Sequence, residues 1–239
     1  VIRQRQFVQH VVEELGLHGG AGRAFRSMGD AAHRKDTGRA RCVGDLWPQI
    51  GRVYGEVAVA RALRADHDFR GYIHLKLIPE ASVELTHEAA LYADRVSINV
   101  ELPREESLAA FAPEKDAGVI RKAMGAVRLG IEAGQEPARK TRPPKYAPAG
   151  QSTQMIIGAD GASDGEILAR SSTLYGNYGL RRVYYSAFSP IPDSSAQLPL
   201  SKPPLIREHR LYQADWLMRF YGFSAPEIAS ATPDGMLDL

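Results

Sequence analysis

The sequence predicts an α/β protein in which parallel strands form a partial (β/α) barrel. Strand-like and helix-like segments alternate from about residue 56 onward, and such alternation is typical of parallel strands joined by right-handed crossovers. Strand–helix units of this kind begin after residue 70 and continue nearly to the end of the 239 residues. A complete eightfold barrel needs about 250 residues or more. The chain therefore has room for part of a barrel only.

Four segments have the composition of strands. GYIHLKLIP (71–79) alternates apolar and polar residues between a glycine and a proline, and DRVSINVELP (94–103) is rich in β-branched residues. TQMIIG (153–158) and LRRVYYSAFSP (180–190) are short and apolar, as strands buried on both faces are. The polar residues Gln151, Ser152 and Thr153 precede the third strand, and we expect them to hold neighbouring loops or backbone.

Helical segments lie between these strands. ASVELTHEAALYA has Ser82 as a candidate N-cap, and EESLAAF and KDAGVIRKAMGAVRLGIEAG follow the second strand. SDGEILARSSTLYGNYG is expected to begin at Ser163 or Asp164 and to end at Gly179. The last long helix is REHRLYQADWLMRFYGF (207–223), whose aromatic residues at helical spacing are predicted to lie in a core: Tyr212, Trp216 and Phe220.

The first 55 residues differ from the rest in pattern. VQHVVEELGL is compatible with an amphipathic helix, but the stretch after it is rich in Gly, Ala and Arg and has neither the helix nor the strand period. We expect residues 1–55 to be a divergent or poorly ordered segment, arising from a frameshift or an incorrect gene model. Residues 56–228 then form the partial barrel, and residues 229–239 a C-terminal tail.

Composition limits the function classes. A net charge of +2 is too small to indicate nucleic-acid binding by bulk electrostatics. The longest apolar runs fall short of the roughly 18–20 residues that span a bilayer, and no signal peptide is recognisable, so we expect a cytoplasmic protein with no membrane partner. Cys42 is the single cysteine, which excludes disulfides within the chain and any site that takes several thiolates from it.

Six separated segments together resemble one family. These are DFRGYIHLKLIPEAS, DRVSINVELP, LAAFAPEKD, KYAPAGQSTQMIIGAD, LRRVYYSAFSPIP and PPLIREHRLYQADWLMRFYGF. They are similar to segments of the radical SAM proteins assigned to DNA modification or repair, which are associated with uracil-DNA glycosylase-like proteins. The resemblance covers roughly residues 56–228.

The resemblance implies a partial barrel that binds S-adenosylmethionine beside a [4Fe–4S] cluster and cleaves it reductively to a 5′-deoxyadenosyl radical. On the second strand, Ser97, Asn99 and Glu101 alternate on one side, where they suit hydrogen bonds to the ribose hydroxyls or the methionyl amine. On the third, the backbone of Ile157 and Gly158 is expected to contact adenine. The alternative for Asn99 and Glu101 is that they simply line the solvent-exposed end of the second strand.

The chain departs from the family in two respects. The family holds its cluster with three closely spaced cysteines near the first strand, because iron–sulfur clusters need thiolate ligands, and here there is only Cys42. The family also tends to continue into a helix-hairpin-helix-like region, whereas this sequence stops at TPDGMLDL. We expect an inactive fragment that does not hold the cluster, and no catalytic residue is assigned.

Basic residues are candidates for binding an anionic substrate, including DNA. His74 and Lys76 share one side of the first strand, and the loop RKTRPPKY carries Arg142 and Lys145. The last helix carries Arg207 and Arg210 one turn apart, where they could contact phosphates. The alternative is that these charges belong to a solvated surface.

Three function classes stay open. The leading one is the radical SAM enzyme, and the second is a non-catalytic module that binds nucleic acid or protein. A metabolic β/α enzyme with a phosphate-bearing substrate is the third. The histidines have no HxH or HExxH spacing, and neither a P-loop nor a GxSxG motif occurs. A zinc site and an α/β-hydrolase site are therefore not expected.

Overall fold

The computed structural model describes residues 40–135, 145–190, 197–230 and 234–237. In chain order the elements are α1 Ala40–Ala65, β1 His74–Leu77, α2 Val83–Tyr92, β2 Arg95–Ile98, α3 Glu105–Phe111, α4 Ala117–Gln135, β3 Gln151–Ile157, α5 Asp164–Tyr178, β4 Arg182–Ala187, α6 Leu205–Tyr221 and α7 Ala225–Ala229.

The chain divides into two compact units, residues 1–71 and 72–239. The described part of the first unit is α1 and the segment after it. Arg64, near the end of α1, holds this segment against the helix, because its guanidinium donates to the carbonyls of Phe69 at 2.6 Å and Gly71 at 2.9 Å. The helix α1 crosses the boundary expected at residue 55, so residues 40–55 are helical rather than irregular. Residues 1–39, including the predicted helix VQHVVEELGL, lie outside the described residues.

The second unit contains the predicted parallel sheet. Its four strands are parallel and neighbour one another in chain order, β1-β2-β3-β4. Strands of equal direction need crossovers, and helices supply them between each pair. The prediction of a four-stranded parallel sheet with helices is confirmed. β3 begins at Gln151, two residues earlier than predicted, so the polar residues before the apolar run belong to the strand itself.

The two faces of the sheet differ in chemistry. Paired residues of parallel strands point to the same face, and successive residues alternate between faces. One face, the apolar face, is built from buried residues of every strand: Leu75, Leu77, Val96, Ile98, Met155, Ile157, Val183 and Tyr185. The opposite face, the polar face, carries His74, Lys76, Arg95, Ser97, Asn99, Ser152, Gln154, Ile156, Arg182, Tyr184 and Ser186.

Helices α4, α5 and α6 pack on the apolar face. Gln151 lies on that face, and its side-chain amide donates to the carbonyls of Met124 in α4 and Tyr178 in α5, at 3.1 and 2.6 Å. The buried hydroxyl of Tyr185 donates to Ser171 in α5 at 2.9 Å, beside the fully buried Asp215 of α6. A polar residue at the start of an apolar strand thus binds a carbonyl of each of two helices, and the carbonyl of Tyr178, the last residue of α5, has no donor within its own helix.

Two predicted helix boundaries are confirmed by their capping contacts. Ser82 accepts a hydrogen bond from the Leu85 amide, and Ser163 forms a capping box with Glu166. Gly179 ends α5 in the left-handed conformation, with φ of +60°. The short helix α7 was not predicted from the sequence, although its capping box, Ser224 with Glu227, is the kind of signal that marks a helix start.

The aromatic residues of α6 do not lie in a core as predicted. Trp216 is 50% and Phe220 59% exposed, and Tyr212 is half-buried with its ring at the edge of β4. The buried residues of α6 are instead Arg207, Leu211, Ala214 and Asp215. The prediction failed because two sets of α6 residues recur at helical spacing, the aromatic residues and the residues that are buried. Helical periodicity alone does not show which set faces the core.

An extra residue interrupts the end of β2. The pairing of Ser97 with Ser152 would place Val100 opposite Met155, but Glu101 occupies that position and its φ is +64°. The displaced Val100 amide donates instead to the Thr153 hydroxyl at 3.0 Å. This bulge redirects the chain at the carboxyl edge of the sheet.

Candidate functional site

The segments expected to bind a cofactor meet at the carboxyl edge of β2 and β3. The Glu101 amide donates to the carbonyl of Gln154 at 3.2 Å, and the Glu101 carbonyl accepts from Ile156 at 2.7 Å. Ile157 and Gly158 follow directly on the neighbouring strand. Asn99, Glu101, Ile157 and Gly158 are therefore brought together by parallel pairing, at the edge where β/α proteins place their ligand sites.

Glu101 lies in this edge with a cationic partner. Its carboxylate forms an ion pair with the Lys115 ammonium at 2.8 Å, and the side chain is 17% exposed. Because of the bulge, Glu101 pairs with Met155 of the apolar set, so the alternation Ser97, Asn99, Glu101 does not extend through Glu101. The carboxylate is held in place by Lys115, and a ligand cation would compete with Lys115 for it.

Ser97 and Asn99 lie on the polar face, where side chains connect three strands. The side-chain amide of Asn99 donates to the side-chain oxygen Oε1 of Gln154 at 3.4 Å. The side-chain amide of Gln154 donates in turn to the Ser186 hydroxyl at 2.8 Å. Ser97 and Asn99 are both buried. These hydrogen bonds hold the side-chain amides of Asn99 and Gln154 in place on the polar face.

Gly158 has a backbone that a side chain would strain. Its φ is +79°, and an added Cβ would lie 2.8 Å from Cγ of Pro203. The carbonyl of Ile157 accepts a hydrogen bond from Phe188 at 2.8 Å. The close approach that Gly158 permits is therefore to Pro203 in this structure.

Beyond Gly158, the turn at Asp160 carries an unsatisfied carboxylate oxygen. One Asp160 oxygen accepts from the Ala162 amide at 3.1 Å, while the other, Oδ2, is buried without a hydrogen-bond partner. A buried carboxylate oxygen without a donor costs free energy, and a bound ligand with N–H or O–H groups would satisfy it. This orphaned oxygen lies two residues beyond the predicted adenine-contacting glycine.

Arg104 and Glu166 join α3 to α5 just beyond this turn. The guanidinium donates to both carboxylate oxygens of Glu166, at 3.0 and 2.5 Å, and also to the carbonyl of Gly161. The hydrogen bonds from Arg104, followed by those from the Ser163 backbone, lower the pKa of Glu166 to about 2. Both side chains are part-exposed, so the pair helps to order the turn rather than stabilising it strongly.

His74 and Lys76 share the polar face as predicted, near its other end. Lys76 is exposed, whereas His74 is partly buried with its Nε2 atom lacking a partner. Burial, followed by the positive charge of Arg95, lowers the pKa of His74. His74 is therefore a neutral imidazole at pH 7 and contributes a hydrogen-bonding nitrogen rather than a charge.

The remaining predicted anion contacts are scattered. Arg207 is buried; its guanidinium donates to Asp164 at 2.7 Å and to the carbonyl of Ala162 at 2.8 Å, so a structural role accounts for these contacts. Arg210 donates to Gln213 on the exposed side of α6. Lys145 is exposed, and Arg142 lies outside the described residues. Arg207 is thus bound to Asp164 and Ala162 rather than placed in a site with His74 and Lys76.

Several polar-face residues were missed from the sequence. Gln154, Arg182, Tyr184 and Ser186 each lie in segments interpreted as strands buried on both faces, and Ser152 was expected only to hold neighbouring loops or backbone. In β4 their signal is an alternation of period two, since Arg182, Tyr184 and Ser186 recur at every second position, whereas β3 begins with four consecutive polar residues and has no such alternation. Considering each strand alone hid the fact that these positions align across the sheet.

Among the described residues there is no group of three or more His, Cys, Asp or Glu side chains that could hold a metal ion. Nor is any helix in that part of the chain long and apolar enough to cross a membrane. No family model, no curated protein and no solved structure matches this chain.

Proposed function

We propose that this chain is a radical SAM-type unit that binds S-adenosylmethionine at the carboxyl edge of β2 and β3, in a family whose intact members act on nucleic acid. In this proposal the four-stranded parallel sheet is part of a (β/α) barrel. A uracil-DNA glycosylase-like protein is the expected partner. The sequence resemblance over residues 56–228 supplies the family, and the arrangement of the sheet edge supports it.

The convergence of two separated segments carries the proposal. SINVELP and TQMIIGAD are more than 50 residues apart, yet Glu101 pairs with Met155 and the backbones of both segments end at one edge. Neighbouring parallel strands in matching register are needed for this arrangement. Of the five residues expected from the resemblance, Asn99, Glu101, Ile157 and Gly158 lie at that edge, and Ser97 lies further back on β2, opposite Ser152.

The donor set fits S-adenosylmethionine in its polar groups. Glu101 and the orphaned oxygen of Asp160 can accept from ribose hydroxyls or from the methionyl ammonium, and the Asn99 amide can both donate and accept. Lys115 is positioned to bind the methionyl carboxylate if Glu101 turns to the ribose. S-adenosylmethionine itself supplies a sulfonium whose reductive cleavage releases a 5′-deoxyadenosyl radical.

A [4Fe–4S] cluster does not fit this chain. Such a cluster takes three cysteine thiolates in this family, and Cys42 is the only cysteine here. We therefore derive no step through the cluster, and the proposed activity of the chain by itself is binding. Anaerobic reconstitution with iron and sulfide is expected to leave the protein colourless, and a stable brown protein with about four irons per chain would contradict this assignment.

The binding site is tested by ligand-observed NMR titration with S-adenosylmethionine. We expect affinity of about millimolar at best, since the contacts normally made by the cluster are missing and each 1.4 kcal/mol is about tenfold in affinity. Glu101→Ala should abolish the binding, whereas Glu114→Ala, an exposed glutamate beyond α3, should leave it unchanged. Equal binding by wild type and Glu101→Ala removes Glu101 from the site and leaves only the fold-level resemblance.

A second candidate function is a non-catalytic module that binds nucleic acid. The observation that favours it is the composition of the polar face, which carries His74, Lys76, Arg95 and Arg182 and no aspartate or glutamate among its assigned positions. This function needs neither S-adenosylmethionine nor a cluster. Binding of single-stranded DNA by a chain that does not bind S-adenosylmethionine would select it.

A further inference from the structure

One row of the polar face crosses all four strands. Lys76 pairs with Ser97, Ser97 with Ser152, and Ser152 with Arg182. We call these four residues the cross-strand row. Adjacent strands lie about 4.8 Å apart, so the row spans about 14 Å between its outer Cα atoms. Two hydroxyl groups occupy its middle and a cationic side chain occupies each end.

Ser152 is the unexplained member of this row. Its side chain is fully buried, and its Oγ atom has no hydrogen-bond partner. The neighbouring polar residues of β3 each have at least one partner, since the Gln151 amide holds two helix carbonyls and Thr153 accepts from the Val100 amide, although Oε1 of Gln151 also lacks a partner. A buried hydroxyl without a partner is costly, which indicates a role other than stabilising the fold.

The cations of the row also lack carboxylate partners. Within the described residues neither Lys76 nor Arg182 forms an ion pair, although other arginines of the unit do. Arg182 is held in place because its guanidinium lies 5.5 Å from the ring centre of Tyr184 and 5.2 Å from that of Tyr212. Its Nε atom is buried and has no hydrogen-bond partner.

The row therefore offers donors and positive charge without a matching acceptor. His74, two residues earlier on β1 and on the same face, adds a buried Nε2 atom that also lacks a partner. Arg95 lies on the same face, but its guanidinium is already bound to the carbonyl of Ala149 at 3.1 and 3.0 Å. Lys76 is exposed at one end of the row, whereas Ser97 and Ser152 are buried in its middle.

We propose that the cross-strand row, Lys76–Ser97–Ser152–Arg182, is a binding site for a phosphate group. A phosphate has several acceptor oxygens and negative charge, and it accepts well from serine hydroxyls, an ammonium and a guanidinium together. The phosphate belongs either to a nucleic-acid backbone or to a small phosphorylated molecule. This proposal adds a phosphate site to the proposed function. It rests on the proposed function only where the phosphate comes from nucleic acid.

The test uses isothermal titration calorimetry of the full chain with three probes: inorganic phosphate, dAMP and a short single-stranded DNA. Lys76→Gln, Arg182→Gln and Ser152→Ala should each weaken the bound probe about tenfold, which is about 1.4 kcal/mol. The two charge variants should also reduce the salt slope of DNA binding by about one unit each. Binding of DNA alone assigns a phosphodiester, and binding of phosphate or dAMP alone assigns a small ligand.

Two control variants accompany the row variants: Ser171→Ala controls for loss of stability, and Lys122→Gln controls for a change in net charge. Ser152→Ala removes a hydroxyl that has no partner, so it should fold with undiminished stability. Ser171→Ala removes an equally buried hydroxyl that bonds Ile167 and Tyr185, so it should lose stability but retain phosphate affinity. Lys122→Gln changes an exposed charge on α4, away from the row, and should leave affinity unchanged.

Equal affinity of wild type and the three row variants overturns the proposal, as does failure of all three probes to bind at millimolar concentration. If Lys122→Gln lowers the affinity as much as Lys76→Gln does, the loss is explained by the change in net charge alone, and the proposal is overturned. S-adenosylmethionine carries no phosphate. Its titration therefore succeeds or fails separately from these.

Discussion

The phenol of Tyr212 closes the outer edge of β4 at Tyr185. Its hydroxyl accepts from the Tyr185 amide at 2.9 Å and donates to the Tyr185 carbonyl at 3.0 Å. The neighbouring outward amides are capped in the same way, Val183 by the Tyr175 hydroxyl and Ala187 by the Glu208 carboxylate. An edge whose N–H groups are already satisfied by side chains does not recruit another strand there. The described parallel sheet therefore ends at β4.

Removing this cap should loosen the edge. Tyr212→Phe leaves two buried backbone groups of Tyr185 without partners, and we expect a loss of about 1–3 kcal/mol in the free energy of unfolding. Urea denaturation measures the loss, and hydrogen exchange of the Tyr185 amide should accelerate. Tyr184→Phe is the matched control, because the Tyr184 hydroxyl makes no hydrogen bond among the described residues. Equal stability of both variants would show that the cap contributes nothing.

The buried pair of Arg207 and Asp164 should be essential to folding. Asp164 is fully buried; it accepts from the Arg207 guanidinium and, with its second oxygen, from the Leu237 amide at 3.0 Å. Arg207→Met leaves a buried carboxylate without its cation, and we expect a loss of about 3–5 kcal/mol. Urea denaturation with Arg210→Gln as the exposed control measures this. A stable Arg207→Met protein with weakened DNA binding would instead assign Arg207 to the substrate site.

Glu166 should make stability depend on pH in the acid range. Its pKa falls from the usual 4.5 to about 2 because Arg104 and the Ser163 backbone bind the ionised form. A depressed folded-state pKa contributes stability above pH 4.5, and the contribution is lost as pH falls toward 2. Glu166→Gln should flatten this part of the stability–pH curve. A carboxyl titration by NMR with a midpoint near 4.5 would contradict the interpretation.

His74 should oppose folding in mild acid. Burial and Arg95 lower its pKa below 6.5, so the unfolded chain binds the proton more readily. Stability is unaffected while both states are neutral, and it decreases as pH falls below about 6.5. His74→Gln should remove this decrease below pH 6.5. An unchanged pH profile in the variant would show that His74 is not the group responsible.

The local elements were predictable because their signals are local. Ser82 and Ser163 as helix caps, Gly179 as a helix end and four strands separated by helices follow from side-chain chemistry and spacing within a few residues. The right-handed crossover rule then makes these strands parallel neighbours. The meeting of Asn99 and Glu101 with Gly158 at one edge follows from the same rule, since carboxyl ends of parallel strands lie together.

Only the tertiary structure decided which side chains satisfy one another. The sequence does not reveal that Tyr212 caps β4, that Arg207 is buried against Asp164, or that a bulge shifts Glu101 by one residue. It likewise does not align Lys76, Ser97, Ser152 and Arg182, because that row depends on the register of three strand pairs. The alternation of polar and apolar side chains along one strand can be seen in the sequence. The register between strands is set by the packing of the apolar face against its helices.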